Sequence, residues 1–322
     1  MEYRKVCIVG PGAIGGMMAV MLSRAGVEVT ALARKTKADA INAKGVNLLF
    51  NGEMLNARIQ AAADPAALGP QDLLVVTLKS NALPAVAASL PALCKPTTPI
   101  VFAMNGVPWW FFDGFGGAAA GSPLKSLDAD GSLSRAIPSA RVIWGVINNS
   151  VHENPDGTLE HTNAQHLALG RPTDDPTGVE DVAEVFLLGG YKTVLSPNIR
   201  QDLWIKLMVN ITLNPISALT YGTVKDLLEE PLIREGVVAV AAEARAVAEK
   251  LGLDTGSDRF DRMKAAPVKT SMLQDLERGR PLELASIVEA VVEIAERVAV
   301  PMPQTRMLLG MMRLRSKTAG LA

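Results

Sequence analysis

Lys5-Val6-Cys7-Ile8-Val9 runs directly into Gly10-Pro11-Gly12-Ala13-Ile14-Gly15, and this junction constrains the fold more than any other stretch of the chain. The first five residues are mostly apolar and rich in β-branched side chains, as a short buried strand requires, and the next six have GxGxxG spacing. Ile14, Met17, Met18, Met21, Leu22 and Ala25 then keep the rhythm of an amphipathic helix. Gly26 is placed to end it, and Val27 to Leu32 reads as a second strand. A strand, helix and strand joined this way form a βαβ unit, and with it an α/β domain on a parallel sheet. In that unit Gly10 permits the tight turn, Gly12 lets the backbone approach a pyrophosphate at the helix N-terminus, and Gly15 allows close helix-to-strand packing. Pro11, Ala13 and Ile14 complete the expected dinucleotide-binding loop. The competing reading is a plain glycine-rich turn, which would not need this position between strand and helix.

About twenty residues past such glycines, an NAD-specific site would carry Asp or Glu for the ribose hydroxyls. Arg34 and Lys35 stand there instead. Two cations suit a 2′-phosphate, so NADP(H) is expected, the alternative being an ordinary solvated pair. Asp72 to Lys79 reads as a buried parallel strand whose last residue, Lys79, faces the cofactor, because ligands gather at the carboxyl ends of such strands. A further strand from Ile100 to Met104 ends in Asn105-Gly106, which is either a second polar contact at that edge or simply a turn.

Lys206, Asn210 and Asn214 are spaced four apart, so a helix stacks them in one stripe. Leu203, Trp204, Ile205, Leu207, Met208, Val209, Ile211 and Leu213 make the rest of that helix apolar almost all round, the pattern of a buried element. A desolvated lysine can lose its proton near neutral pH, and flanking amides could hold a substrate while it protonates a carbonyl oxygen. The same residues fit a lysine whose stem covers apolar surface while its head reaches water. Pro215 is expected to end or kink this helix.

The 322 residues are 48% hydrophobic with formal charge −1, which suits a well-buried protein of one to three domains. No basic run favours nucleic acid, and no apolar stretch is long enough to span a bilayer. Cys7 and Cys94 are the only cysteines, too few for a disulfide framework and without metal-ligand spacing, so no metal and a reducing, cytoplasmic setting are expected. Met1 to Leu22 superficially looks like a signal peptide, but Gly10-Pro11-Gly12 breaks the apolar run. Asp128-Ala129-Asp130-Gly131 lacks the ligand pattern of a calcium loop.

With Gly10 to Gly15, Arg34, Lys79, Asn105-Gly106, the Lys206-Asn210-Asn214-Pro215 helix, Ser271 to Asp275 and Gly279 to Glu283, the chain resembles the ketopantoate reductases, the 2-dehydropantoate 2-reductases. The matches spread over almost the full length. The resemblance implies an α/β N-terminal Rossmann domain, here residues 1–196, and an all-α C-terminal domain like that of 6-phosphogluconate dehydrogenase, residues 197–322, with the active site in the cleft between them. It implies NADPH-dependent reduction of 2-dehydropantoate, with Lys206 as proton donor and Glu283 as an acid near the nicotinamide. Asn210, Asn214 and Ser271 would contact the 2-oxo acid; Arg34, Lys79 and Asn105 would contact the cofactor. From the residues alone, Glu283 is equally a carboxylate complementing a helix N-terminus. Val224, Val268, Ala285 and Val288 depart from polar residues usual in the family. An unpaired substrate hydroxyl costs about 1–3 kcal/mol per buried group, which favours a more apolar 2-oxo acid. A non-catalytic NADPH sensor is the competing class, though it would not need Lys206. The resemblance and the apolar C-terminal helices suggest a homodimer.

Trp109, Trp110, Phe111, Phe112 and Phe115 crowd the segment 107–117, an insertion relative to the family. It is expected to be an aromatic wall or lid over the substrate, or else a hydrophobic cluster anchoring a long loop or a subunit contact. Leu227 to Leu251 reads as one long helix, Leu284 to Val300 as another, and Met302 to Leu314 as core.

Overall fold

The computed structural model describes residues 3–116, 119–173, 175–256 and 266–321. Contacts divide the chain into two compact units, one of Met1–Met104 with Ser132–Ile199 and one of Asn105–Gly131 with Arg200–Ala322. The segment 105–131, which the sequence reading left in the first domain, makes its contacts with the second.

The first unit is built on a ten-stranded mixed sheet. Its strands are β1 Lys5–Val9, β2 Glu28–Leu32, β3 Val46–Phe50, β4 Glu53–Ala57, β5 Gln60–Ala62, β6 Leu73–Val76, β7 Ile100–Phe102, β8 Val142–Glu153, β9 Leu159–Gly170 and β10 Lys192–Leu195. The order is β4-β3-β9-β8-β7-β6-β1-β2-β5, and β10 also pairs with β9. From β5 to β8 every pairing is parallel. Here β1, β6 and β7 are buried along nearly their whole length, which explains why they read as continuous apolar runs. The chain leaves β1 toward β2 on one side and returns to β6 on the other, so the carboxyl end of β1 is a topological switch point. Antiparallel β8 and β9 extend the sheet, with an irregularity near Ser150. Helix Ala13–Arg24 lays Met17, Met18, Ala19, Val20 and Leu22 into the core, each fully buried. Gly16 faces Leu159, where a Cβ would come within 2.5 Å of a leucine methyl.

The regular elements of the second unit, among its described residues, are helices joined by loops, the longest described loop stretch lying within 105–124. Helix Ile199–Thr220 carries Lys206 and continues through Pro215 without ending there. A proline in a helix interior withholds one N–H from the ladder, here the partner of the Ile211 carbonyl; Thr212, in the same turn, donates its hydroxyl to the Met208 carbonyl at 2.7 Å. Fully buried Trp204 donates its indole N–H to the Ala244 carbonyl at 3.1 Å, pinning this helix to helix Pro231–Lys250.

The long helix expected from Leu227 is two, Val224–Glu229 and Pro231–Lys250. Pro231 takes the first helical position, where its missing N–H costs nothing, and Glu230 caps the new helix by accepting from Ile233 N–H. From Leu284 the helical run ends at Arg297 rather than Val300, and within it Ala285–Glu289 is a π-helical turn. Helix Pro303–Thr318 is only half core: Leu308, Leu309 and Met312 are buried while Met307, Met311 and Leu314 face outward.

The aromatic segment packs as a buried cluster, as the alternative to a lid expects. Trp109, Trp110, Phe111 and Phe112 are all buried, the rings of Phe111, Phe112 and Phe115 pack on one another, and Phe111 leans on Trp204. Arg200, also buried, donates to the Phe111 carbonyl at 2.7 Å and to the Asp113 carbonyl, with its guanidinium over the Trp110 and Phe115 rings. Arg297 holds Ser122 and Pro123, and Glu293 accepts from the Lys125 and Ser126 amides. Rings this apolar are driven inward, and the arginines satisfy the loop backbone they bring with them. Gly117 and Ala118 lie outside the described residues.

Candidate active site

At the switch point of the sheet the chain turns at Gly10, whose φ of +87° suits glycine. A Cβ on Gly15 would stand 2.7 Å from the Gly10 carbonyl and would also strike Thr77, whereas no described residue lies within 4 Å of one on Gly12. Two glycines are therefore demanded by the protein itself, and Gly12 opens onto free space, where backbone can meet a ligand. Thr77, which the sequence reading passed over, donates its hydroxyl to the Gly10 carbonyl at 2.8 Å and fixes the turn. Its only signal was its place at the end of the β6 apolar run. Pro11, Ala13 and Ile14 fill out the turn and the first residues of the helix.

Arg34 is exposed just after β2, at the N-cap of helix Lys35–Lys44. Lys35 is also exposed but holds Asp39 at 2.9 Å, one turn along that helix, so Arg34 is the cation of the pair better placed to serve a ligand. Lys79 is half-buried just beyond β6.

In the helical unit, Lys206 is half-buried and its ammonium is desolvated, which lowers its pKa from 10.5 to about 8, while the charge of Glu283 pulls the value back up. Glu283 itself is only 8% exposed. A carboxylate so deeply placed needs a cation. The helix stripe expected from the sequence is present: Asn210 is half-buried one turn from Lys206, and Asn214, a further turn on, is 5% exposed. The Asn214 side-chain nitrogen has no hydrogen-bond partner among the described residues. Buried polar groups are rarely left in that state, so this amide is free to donate to a guest. Ser271 is exposed in the first turn of helix Ser271–Glu277. Asn105 is half-buried and belongs to the helical unit by its contacts, not to the sheet whose strand it follows.

The positions that depart from the family pattern are apolar in different ways. Val224 donates its backbone N–H to the Val268 carbonyl at 2.9 Å; Val224 is half-buried against the cluster that includes Leu213, Ile216 and Leu227, while Val268 is exposed. Val288 is fully buried in the π turn and serves as core.

Together these side chains can bind an adenine dinucleotide on one unit and offer, on the other, a proton-bearing amine with amide donors beside it. The model of the family described as ketopantoate reductase PanE/ApbA matches residues 6–174, and that of its C-terminal domain matches residues 198–316. The 2-dehydropantoate 2-reductase of Mesorhizobium japonicum is 36% identical over 317 residues, covering 96% of this chain and 97% of that protein. A solved chain from Ralstonia solanacearum MolK2 has 37% identity and a TM-score of 0.93, covering 99% and 100% of the two chains. The 2-dehydropantoate 2-reductase structure from Geobacter metallireducens GS-15 has 26% identity and a TM-score of 0.84, covering 96% and 99%. The chain belongs to the ketopantoate reductase family.

Proposed function

We propose that this chain is an NADPH-dependent reductase of 2-oxo acids that converts 2-dehydropantoate to (R)-pantoate, with Lys206 as the proton donor. The observation that carries the reading is the desolvated Lys206 ammonium, brought to a pKa of about 8 beside Glu283 on a stripe shared with Asn210 and Asn214. An amine titrating there is largely protonated at neutral pH yet acidic enough to release its proton as charge develops.

Gly10, Gly12, Gly15 and the helix they open would hold the pyrophosphate, Arg34 the 2′-phosphate, and Lys79 and Asn105 further parts of the cofactor. Held by these residues, a reduced nicotinamide would supply the hydride needed at C2 of the 2-oxo acid. Lys206 gives its proton to the carbonyl oxygen as that oxygen gains negative charge, so hydride and proton together make the hydroxyl. Asn210, Asn214 and Ser271 orient the substrate, and Glu283 keeps Lys206 charged. Val224 and Val268, joined through their backbones, support a second substrate reading in which a more apolar 2-oxo acid outcompetes 2-dehydropantoate.

The test is NADPH consumption with 2-dehydropantoate and a panel of 2-oxo acids, run in parallel with NADH. Lys206→Ala should lower turnover by about 10²–10⁴ with NADPH binding nearly intact. A wild-type protein that binds NADPH but reduces none of the panel would instead support a sensor.

A further inference from the structure

Asn105 and Glu283 are 178 residues apart, yet the residues that follow each of them interlock. The Val107 amide donates to the Ser286 carbonyl at 2.8 Å. Gly106 has φ of +86°, and a Cβ there would lie 2.5 Å from Ser286 Oγ, 2.6 Å from its Cβ and 2.8 Å from its carbonyl carbon. The third of these is backbone and cannot swing aside. Ser286 is fully buried and lies in the π-helical turn Ala285–Glu289, where the Ala290 amide reaches back five residues to the Ala285 carbonyl. Single π turns are rare and are frequent at functional sites. This one begins two residues after Glu283, and the Ile287 amide bonds the Glu283 carbonyl at 3.1 Å. A short chain of contacts therefore runs from the Asn105 backbone through Gly106 and Ser286 to the Glu283 backbone.

We propose that Gly106 and Ser286 are positioning residues that lock Asn105 onto the turn carrying Glu283, so that this amide keeps a fixed station relative to Glu283 and its partner Lys206. The inference rests on the reductase reading above. It explains why Asn105, three residues past the end of β7, groups with the helical unit. It also gives a function to a glycine that otherwise reads as a turn. Arg200, Glu293 and Arg297 fasten the rest of the 105–131 segment further along, so the Gly106 contact is the anchor next to the site.

The experiment is a double-mutant cycle in the full chain with Asn105→Ala, Gly106→Ala and the pair, read by kcat with 2-dehydropantoate and by NADPH affinity from fluorescence quenching. Displacing a positioned group by about an ångström can cost 100-fold, and each single change should lower kcat roughly 10- to 100-fold. The pair should be no slower than Asn105→Ala, because Gly106 acts through Asn105. Hydrogen exchange of the Val107 amide in the cofactor-free protein should lose protection in Gly106→Ala. If the pair falls by the product of the single effects, or Val107 stays protected, the latch is refuted while the Lys206 reading stands. If wild type reduces no 2-oxo acid, the reductase reading fails, and the cycle on NADPH affinity still decides the latch. Should Gly106→Ala not fold, Ser286→Thr, one methyl larger at the same contact, replaces it in the cycle.

Discussion

Replacing Glu283 by Gln keeps its shape and removes its charge, and the expected consequence is a displaced pH profile. Two opposing influences set the Lys206 pKa: desolvation, the larger, takes it from 10.5 to about 8, and the Glu283 charge limits the fall. An opposite charge at close range typically moves a partner by about 1–3 pH units, so losing it should bring the basic limb of kcat/KM down from near pH 8 by about one unit or more. At pH 7 the wild-type amine is about nine-tenths protonated. A one-unit drop leaves about half, and a two-unit drop about a tenth, a loss of about two- to tenfold that acidification to pH 5.5 should recover in proportion. Measuring NADPH oxidation at limiting 2-dehydropantoate across pH 5.5 to 9.5 supplies the limb, whose position separates loss of charge from any lost contact that lowers the whole curve. The stability sign follows independently. An amine whose folded pKa lies below its unfolded one opposes folding fully below pH 8, by about 3 kcal/mol, and this cost is relieved as pH rises through 8 toward 10.5. Lys206→Met should therefore gain more thermal stability at pH 6.5 than at pH 9.5. A Glu283→Gln limb that stays near pH 8 or moves upward would refute the electrostatic argument.

Arg34→Ala should raise the KM for NADPH about 10- to 100-fold and leave that for NADH nearly unchanged, since a charge-assisted phosphate contact is worth about 1.5–3 kcal/mol; equal effects on both cofactors would dismiss the 2′-phosphate role. Trp110→Ala removes a fully buried ring beneath Arg200 and should cost about 3–5 kcal/mol in chemical denaturation, with the ranking of 2-oxo acids unaltered; a changed ranking at unchanged stability would restore the lid. Asn214→Ala deletes a buried amide nitrogen that has no partner among the described residues, so the unliganded protein should melt no lower than wild type while the KM for the 2-oxo acid rises. A lowered melting temperature would mean that the amide is structural.

Local order determined much of this molecule. The β1 strand, its glycine turn and the following helix were legible because period, β-branching and glycine spacing all act within a few residues, and the Lys206 stripe was legible because helix geometry depends only on spacing four apart. Proline was the least legible signal. Of the two outcomes expected at Pro215, an end or a kink, the first does not occur, because tertiary packing of Trp204 and its neighbours outweighs one lost hydrogen bond, whereas Pro231, in a run read as continuous, starts a new helix. Composition alone showed that five of residues 109–115 are aromatic; how those rings pack depended on residues remote in sequence, Arg200 reaching the Phe111 and Asp113 carbonyls and Arg297 lying over Phe112.

The sequence by itself determined the turn that can receive a dinucleotide and the face on which an amine and two amides align, because each is a property of contiguous chain. Tertiary structure alone decided that Glu283 stands by Lys206, that Thr77 braces the glycine turn, and that Gly106 must lack a side chain to admit Ser286. Those are pairings of distant residues, and desolvation and steric exclusion exist only once the folded chain has brought the partners together.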